Sequence, residues 1–299
     1  METPMQVDEI EDGMNLLSPR PETQDGRAYY EIWHGNHIFF AKGRIIVHRT
    51  QWKYSLLTVA FITSLVAGFI YFVSIADLSP ALIYIMVALY FNVLLWFGFT
   101  AFRDPGFVPM RYDQLIQAEV DPNRFCTTCL VHKPARRSHC SVCDCCVDGF
   151  DHQYASSFMK PHEIQTGNCV GRRNYRSFMG FLAACGLASL FAFSTIAWFT
   201  IDQCFVHKVA FHVFIKQYVV VPPLIYFTLA VSAFVIGFAI YHCNLISRQL
   251  TTNEYLRRLQ NRTNSTGEDS PPSCIQSWTL FFTSPIPPSK LLHPCPVVV

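Results

Sequence analysis

Seven of the twelve cysteines in this 299-residue chain fall between Cys126 and Cys169, at spacings that suit a metal. Cys126-x-x-Cys129 is followed by His139-Cys140-x-x-Cys143, then by Cys146 and Cys169. Tetrahedral zinc takes four sulfur or nitrogen ligands, and a Cys-x-x-Cys knuckle presents two of them. Those seven groups and one more would fill two zinc sites. A loop of this size has little apolar core of its own, so metal ligation would hold its fold, at about 10–16 kcal/mol per site in small zinc peptides.

The rest of the chain is built to sit in a bilayer. Apolar residues make up 51% and charged residues only 15%, with a mean hydropathy of +0.23. That leaves too few charges to coat a soluble globule of 34.2 kDa and disfavours general disorder. A net charge of +2 gives no basis for a nucleic-acid partner. Four runs carry no Asp, Glu, Lys or Arg: 54–76, 80–102, 178–201 and 218–246. Each reaches the roughly 20 apolar residues a transmembrane helix needs. The expected fold is an all-α polytopic membrane protein of four transmembrane helices, with a small zinc-binding cysteine-rich domain (about 124–174) in the loop 103–177 between helices 2 and 3.

Of the 23 lysines and arginines, 21 lie before the first run, between the second and third, or after the fourth. The positive-inside rule then puts both termini and the cysteine-rich loop in the cytosol. Because the cytosol is reducing, the clustered cysteines are expected to bind metal and not to pair as disulfides. The segment 1–40 is polar and acidic and is expected to be a disordered cytosolic N-terminus without a cleavable signal. The segment 247–299 is the expected cytosolic tail. Transporters carry charges inside their spans, and these runs have none, which argues against transport.

At this level of detail the residues resemble a known family. The order Cys126-x2-Cys129-x3-Lys133-Pro134-x-Arg136-x2-His139-Cys140-x2-Cys143-x2-Cys146-x4-Asp151-His152, then Asn168-Cys169-Val170-Gly171-x2-Asn174, is similar to the cysteine-rich domain of the DHHC protein S-acyltransferases (palmitoyltransferases). Asp104-Pro105-Gly106 after the second run and Thr251-Thr252-Asn253-Glu254 after the fourth agree with it. Taken alone the first could be a turn, and Thr251-x-x-Glu254 a helix-capping box.

The resemblance implies covalent acyl transfer. In the family a cysteine takes a fatty acyl group from acyl-CoA and passes it to a substrate protein's cysteine, with the Asp and first His of the signature as orienter and general base. Asp151 and His152 match those two positions. Burial gains about 0.8 kcal/mol per CH2, so an acyl site belongs among the spans at the cytosolic boundary. The implied partners are membrane lipid, substrate proteins with cytosolic juxtamembrane cysteines, and other family members. The implied location is the Golgi or endoplasmic reticulum.

The signature is nevertheless broken. In place of Asp-His-His-Cys-Pro-Trp the chain reads Asp151-His152-Gln153-Tyr154-Ala155-Ser156. Tyr154 stands at the position of the acyl-accepting cysteine. With a pKa near 10, about a thousandth of such a phenol ionises at pH 7. Gln153 replaces a histidine that ligates zinc in the family. His162 precedes Cys169 by the same separation as that histidine precedes its cysteine. The resemblance therefore implies Cys126, Cys129, His139 and Cys146 for one zinc, and Cys140, Cys143, His162 and Cys169 for the other.

Residues 153–166 match nothing in the family pattern while both flanks do, as alternative exon use or a mis-joined gene model would produce. Three functions follow: an S-acyltransferase, a catalytically inactive membrane scaffold, and a zinc-binding adaptor or ubiquitin ligase. The third is weakest, because a cross-braced ligase domain expects another ligand order. Cys145 is a spare thiol between two ligands. Arg172, Arg173 and Arg176 could attract coenzyme A phosphates or satisfy the positive-inside rule alone.

Overall fold

A computed structural model of the chain describes residues 26–110, 124–134, 136–151, 167–260 and 273–294. His152, Gln153, Tyr154 and His162 lie outside the described residues, as do 1–25 and 261–272.

Each uncharged run folds as a helix, the form in which a lipid-embedded backbone satisfies its own hydrogen bonds. The helices are α1 Trp52–Ile75, α2 Ala81–Ala101, α3 Tyr175–Ile201 and, after a short α4 Phe211–Gln217, α5 Val221–Ser247. All four long helices are apolar enough to cross a membrane, with α3 continued through a π-helical turn to Val206. Pro222 and Pro223 sit in the first turn of α5, where a missing N–H costs nothing. Large apolar side chains such as Tyr84, Phe91, Trp198 and Phe234 point outward, more than half exposed. Such a surface needs lipid around it. The mostly helical, four-span expectation is therefore met.

α3 is the central helix and packs on both α2 and α5. Its approach to α2 depends on Gly180, where a Cβ would lie 2.6 Å from the Trp96 ring. Phe69, Phe72, Met86, Ile196, Phe199 and Phe214 fill the core at the end of the bundle away from the cysteines.

The opposite end carries short strands that the sequence reading did not contain. β1 His37–Phe40 and β2 Ile45–His48 form a hairpin. β3 Phe107–Val108, β7 Cys145–Asp148 and β6 Arg137–Cys140 form a three-stranded sheet in that order. β4 Phe125–Cys126 pairs with β5 Val131–His132. Strands of two to four residues are too short to show alternation. Two further helices, α6 Thr252–Gln260 and α7 Cys274–Thr283, follow α5, and α7 folds back to pack on it.

Candidate metal centre and acyl-transfer site

The antiparallel pairing of β6 with β7 sets His139 opposite Cys146 and Cys140 opposite Cys145. Cys126 arrives on β4, and a turn at Leu130 (φ +53°), closed by Leu130 N–H donating to Cys126 C=O at 2.8 Å, brings Cys129 beside it. The metal-binding atoms of Cys126, Cys129, His139 and Cys146 then all lie within 4.8 Å of one another. His139 Nδ1 lies 3.2 Å from Cys129 Sγ, and its Nε2 lies 3.8 Å from an Asp144 carboxylate oxygen. At that distance the carboxylate is an electrostatic neighbour of the ring and not a hydrogen-bond partner.

Cys140, Cys143 and Cys169 form a second group within the same limit, with Cys143 Sγ 3.1 Å from Cys169 Sγ. All six of these cysteines are buried. Crowded thiols cannot all ionise without a cation. Cys129 is held down at about 6 by hydrogen bonds from Cys146 and His139. Cys146 in turn is pushed up by its hydrogen bond to Cys129 and by burial. Cys143 is likewise held low by hydrogen bonds from Cys140 and its neighbours, while Cys140 is pushed up to about 12 by its bond to Cys143. One thiolate per cluster with protons on the rest is the arrangement that a soft divalent ion displaces. Thiolate and imidazole donors at this spacing fit zinc, and these clusters could hold it.

Cys145 belongs to neither group. Its side chain is 3% exposed, and burial raises its thiol well above the ordinary value. It is a packing residue and not a stand-in nucleophile. Among the described residues no cysteine is in a disulfide.

The turn and capping motifs noted in the sequence make specific contacts. Asp104 is 4% exposed; its Oδ1 accepts from the Gly106 and Phe107 N–H groups at 2.8 and 2.9 Å. Its Oδ2 accepts from Ser289 Oγ at 2.5 Å and pairs with Arg173 Nε at 3.1 Å. Gly106 is at φ +113°, which a side chain would resist, and it follows Pro105 directly into β3. Asn174 Nδ2 donates to Thr100 C=O and Cys169 C=O, both at 2.9 Å, tying the Cys169 segment to the end of α2.

Asp151, 2% exposed, is gripped by Thr252: the backbone N–H donates to Oδ1 at 2.8 Å and the hydroxyl to Oδ2 at 3.0 Å. Thr251 and Glu254 make the reciprocal capping box, Thr251 N–H to Glu254 Oε2 at 2.8 Å and Glu254 N–H to Thr251 Oγ1 at 3.2 Å. Behind Asp151 sits His242 of α5, buried, with Nδ1 3.0 Å from Tyr175 Oη and 3.9 Å from Asp151 Oδ2. Asp151 forms part of the wall of a cavity of about 440 Å³ between the cysteine-rich region, α3, α5 and α7. Arg136, Arg172 and Arg176 give the cavity a cationic side, and Leu250, Leu280 and Phe281 an apolar one.

The sequence reading named Arg172 and Arg176 but missed Ser289 and the α7 wall, because their contacts span more than a hundred residues and leave no local periodicity. It also missed His37 and His48, whose ring nitrogens lie within 4.8 Å of Cys143 Sγ.

Residues 119–259 match the family model described as DHHC palmitoyltransferase. The central region thus carries the likeness to the DHHC palmitoyltransferase family. The similarity to curated proteins of this family runs beyond the domain. "Probable protein S-acyltransferase 7" of Arabidopsis thaliana is 28% identical over 91% of this chain and 68% of its own length. "Protein S-acyltransferase 8" of the same plant is 28% identical over 87% of this chain and 70% of its own. "Palmitoyltransferase ZDHHC18" of Homo sapiens is 27% identical over 89% and 74%. A DHHC-family domain implies protein substrates and lipid, and four apolar helices fit an integral membrane protein.

Proposed function

We propose that the protein is a protein S-acyltransferase that moves palmitoyl from palmitoyl-CoA to juxtamembrane cysteines of substrate proteins at the cytosolic membrane face. The observation that carries this reading is Asp151, locked by Thr252 on the wall of a cavity with an arginine side and an apolar side. Arg136, Arg172 and Arg176 suit the phosphates of coenzyme A, because a guanidinium pairs with phosphate in a bidentate fork. The apolar side and the adjacent spans suit the acyl chain.

Tyr154 supplies no thiol, so the reading for this chain is direct transfer. The substrate cysteine gives its proton to His152, oriented by Asp151, and the thiolate attacks the thioester carbonyl. The acyl carbon's bond to the coenzyme A sulfur breaks as its bond to the substrate sulfur forms. The leaving thiolate then takes up the proton. Zinc in the Cys126–Cys129–His139–Cys146 group and the Cys140–Cys143–Cys169 group holds the domain rigid. The asymmetry of Lys and Arg supports cytosolic termini, and the family supports Golgi or endoplasmic reticulum membranes.

A second reading, an inactive scaffold that pairs with an active family member, is favoured by Tyr154 itself. Purified chain, alkynyl palmitoyl-CoA and a membrane-tethered cysteine peptide separate the two. Direct transfer gives hydroxylamine-labile label on the peptide and none at residue 154. Label on neither chain nor peptide selects the scaffold.

A further inference from the structure

We propose that His37, on the N-terminal hairpin, is the fourth ligand of the Cys140–Cys143–Cys169 zinc site, in place of the signature histidine lost at Gln153. The inference rests on the zinc reading of the cysteine-rich domain and adds to it a ligand from outside that domain.

The hairpin is clasped to the Cys140–Cys143 knuckle. Asn36 N–H donates to Cys143 C=O at 3.0 Å, Asn36 Nδ2 to Val142 C=O at 2.9 Å, and His48 Nε2 to the same Val142 carbonyl at 3.0 Å. β1–β2 register sets His37 opposite His48, and their ring centroids are 5.0 Å apart. The His37 ring also lies against Phe107, centroid to centroid 4.4 Å.

His37 is 2% exposed, yet its ring nitrogens meet no oxygen or nitrogen partner, and the polar contact the ring does make is with the Cys143 sulfur. Buried imidazole nitrogens are ordinarily satisfied, so this pair asks for an explanation. One lies within 4.8 Å of Cys143 Sγ, the sulfur shared with the three-cysteine group, but not of both other sulfurs, so the ring must swing inward as the ion binds. His48 lies equally near but is already committed. Its Nδ1 accepts from the Thr50 and Gln51 N–H groups, both at 3.2 Å, which makes Nε2 the protonated nitrogen that donates to Val142. His37 is therefore the imidazole with a lone pair to give. Three cysteines and one histidine complete a tetrahedral structural site, which a glutamine amide does poorly.

The sequence offers His162 as the rival ligand, and the test sets the two against each other. Full-length protein purified in lipid nanodiscs is assayed for bound metal by mass spectrometry. The unaltered chain should hold about two zinc ions, His37→Ala about one, and His162→Ala about two. His37→Cys should restore the second zinc, and zinc X-ray absorption should then show more Zn–S and less Zn–N scattering than the unaltered chain. A purely structural histidine would not move that ratio. Retention of both zincs in His37→Ala, loss of one in His162→Ala, an unaltered chain holding about one, or an unchanged absorption spectrum in His37→Cys would each overturn the assignment. Absence of any zinc, including from the Cys126–Cys129–His139–Cys146 group, would instead remove the zinc reading on which it stands.

Discussion

Asp151 and Thr252 are 101 residues apart in sequence and meet through two hydrogen bonds, at 2.8 Å from the backbone N–H and 3.0 Å from the hydroxyl. The carboxylate thus has both oxygens fixed by one residue at the start of α6, just past the fourth span. Hydrogen bonds to charged groups contribute about 1.5–3 kcal/mol. Thr252→Val keeps the shape and removes the hydroxyl, so it should lower stability by about 1–3 kcal/mol and reduce acyl transfer. Thr252→Ser should behave like the unaltered chain. Thermal unfolding in detergent and transfer rates on the same preparations check both.

The arginine side of the cavity should govern donor affinity. Replacing Arg172 or Arg176 by Glu removes a charge-assisted contact and adds repulsion, which at about 1.4 kcal/mol per tenfold should weaken palmitoyl-CoA binding at least about tenfold. The effect should shrink as salt is raised, since these residues line an open, solvent-connected cavity. Titration with a fluorescent acyl-CoA at two ionic strengths measures it. Equal affinity in the variants would move the donor elsewhere.

Metal removal should separate the two halves of the fold. Chelation or Cys146→Ala takes away ligands that hold β4 to β7, while helices α1, α2, α3 and α5 satisfy their own backbone bonds. Helical circular dichroism should persist, and limited proteolysis between residues 124 and 170 should speed up many-fold. Loss of helicity in parallel with zinc would show that the spans depend on the domain.

Gly180 is the contact that lets α3 approach α2. A methyl there meets the Trp96 ring at 2.6 Å, so Gly180→Ala should cost about 1–3 kcal/mol, the usual range for overpacking. Trp96→Ala in the same chain should recover part of the loss, which a double-mutant cycle in detergent reads directly.

What the sequence revealed and what it concealed follow one physical division. Spans and knuckles are local: uncharged runs of bilayer length and Cys-x-x-Cys spacing are legible within a few residues of themselves. The capping box at Thr251–Glu254 was equally visible. Contacts between distant segments were not. Nothing near Asp104 announces Ser289, 185 residues away, and nothing near Cys143 announces a hairpin a hundred residues earlier carrying His37. Cys145 shows the converse. Its sequence position suggested an available thiol, and only its burial shows that it packs.

The central claim, acyl transfer by a chain with tyrosine at the family's cysteine position, is tested most directly on the acceptor. Nanodisc-embedded protein is mixed with alkynyl palmitoyl-CoA and a membrane-tethered cysteine peptide, and hydroxylamine-labile label on the peptide is followed in time. The account predicts label that accumulates with the unaltered chain and falls at least about a hundredfold with His152→Ala or Asp151→Asn, the usual scale for losing a general base. Peptide label no faster than in empty nanodiscs, with palmitoyl-CoA bound, would contradict it.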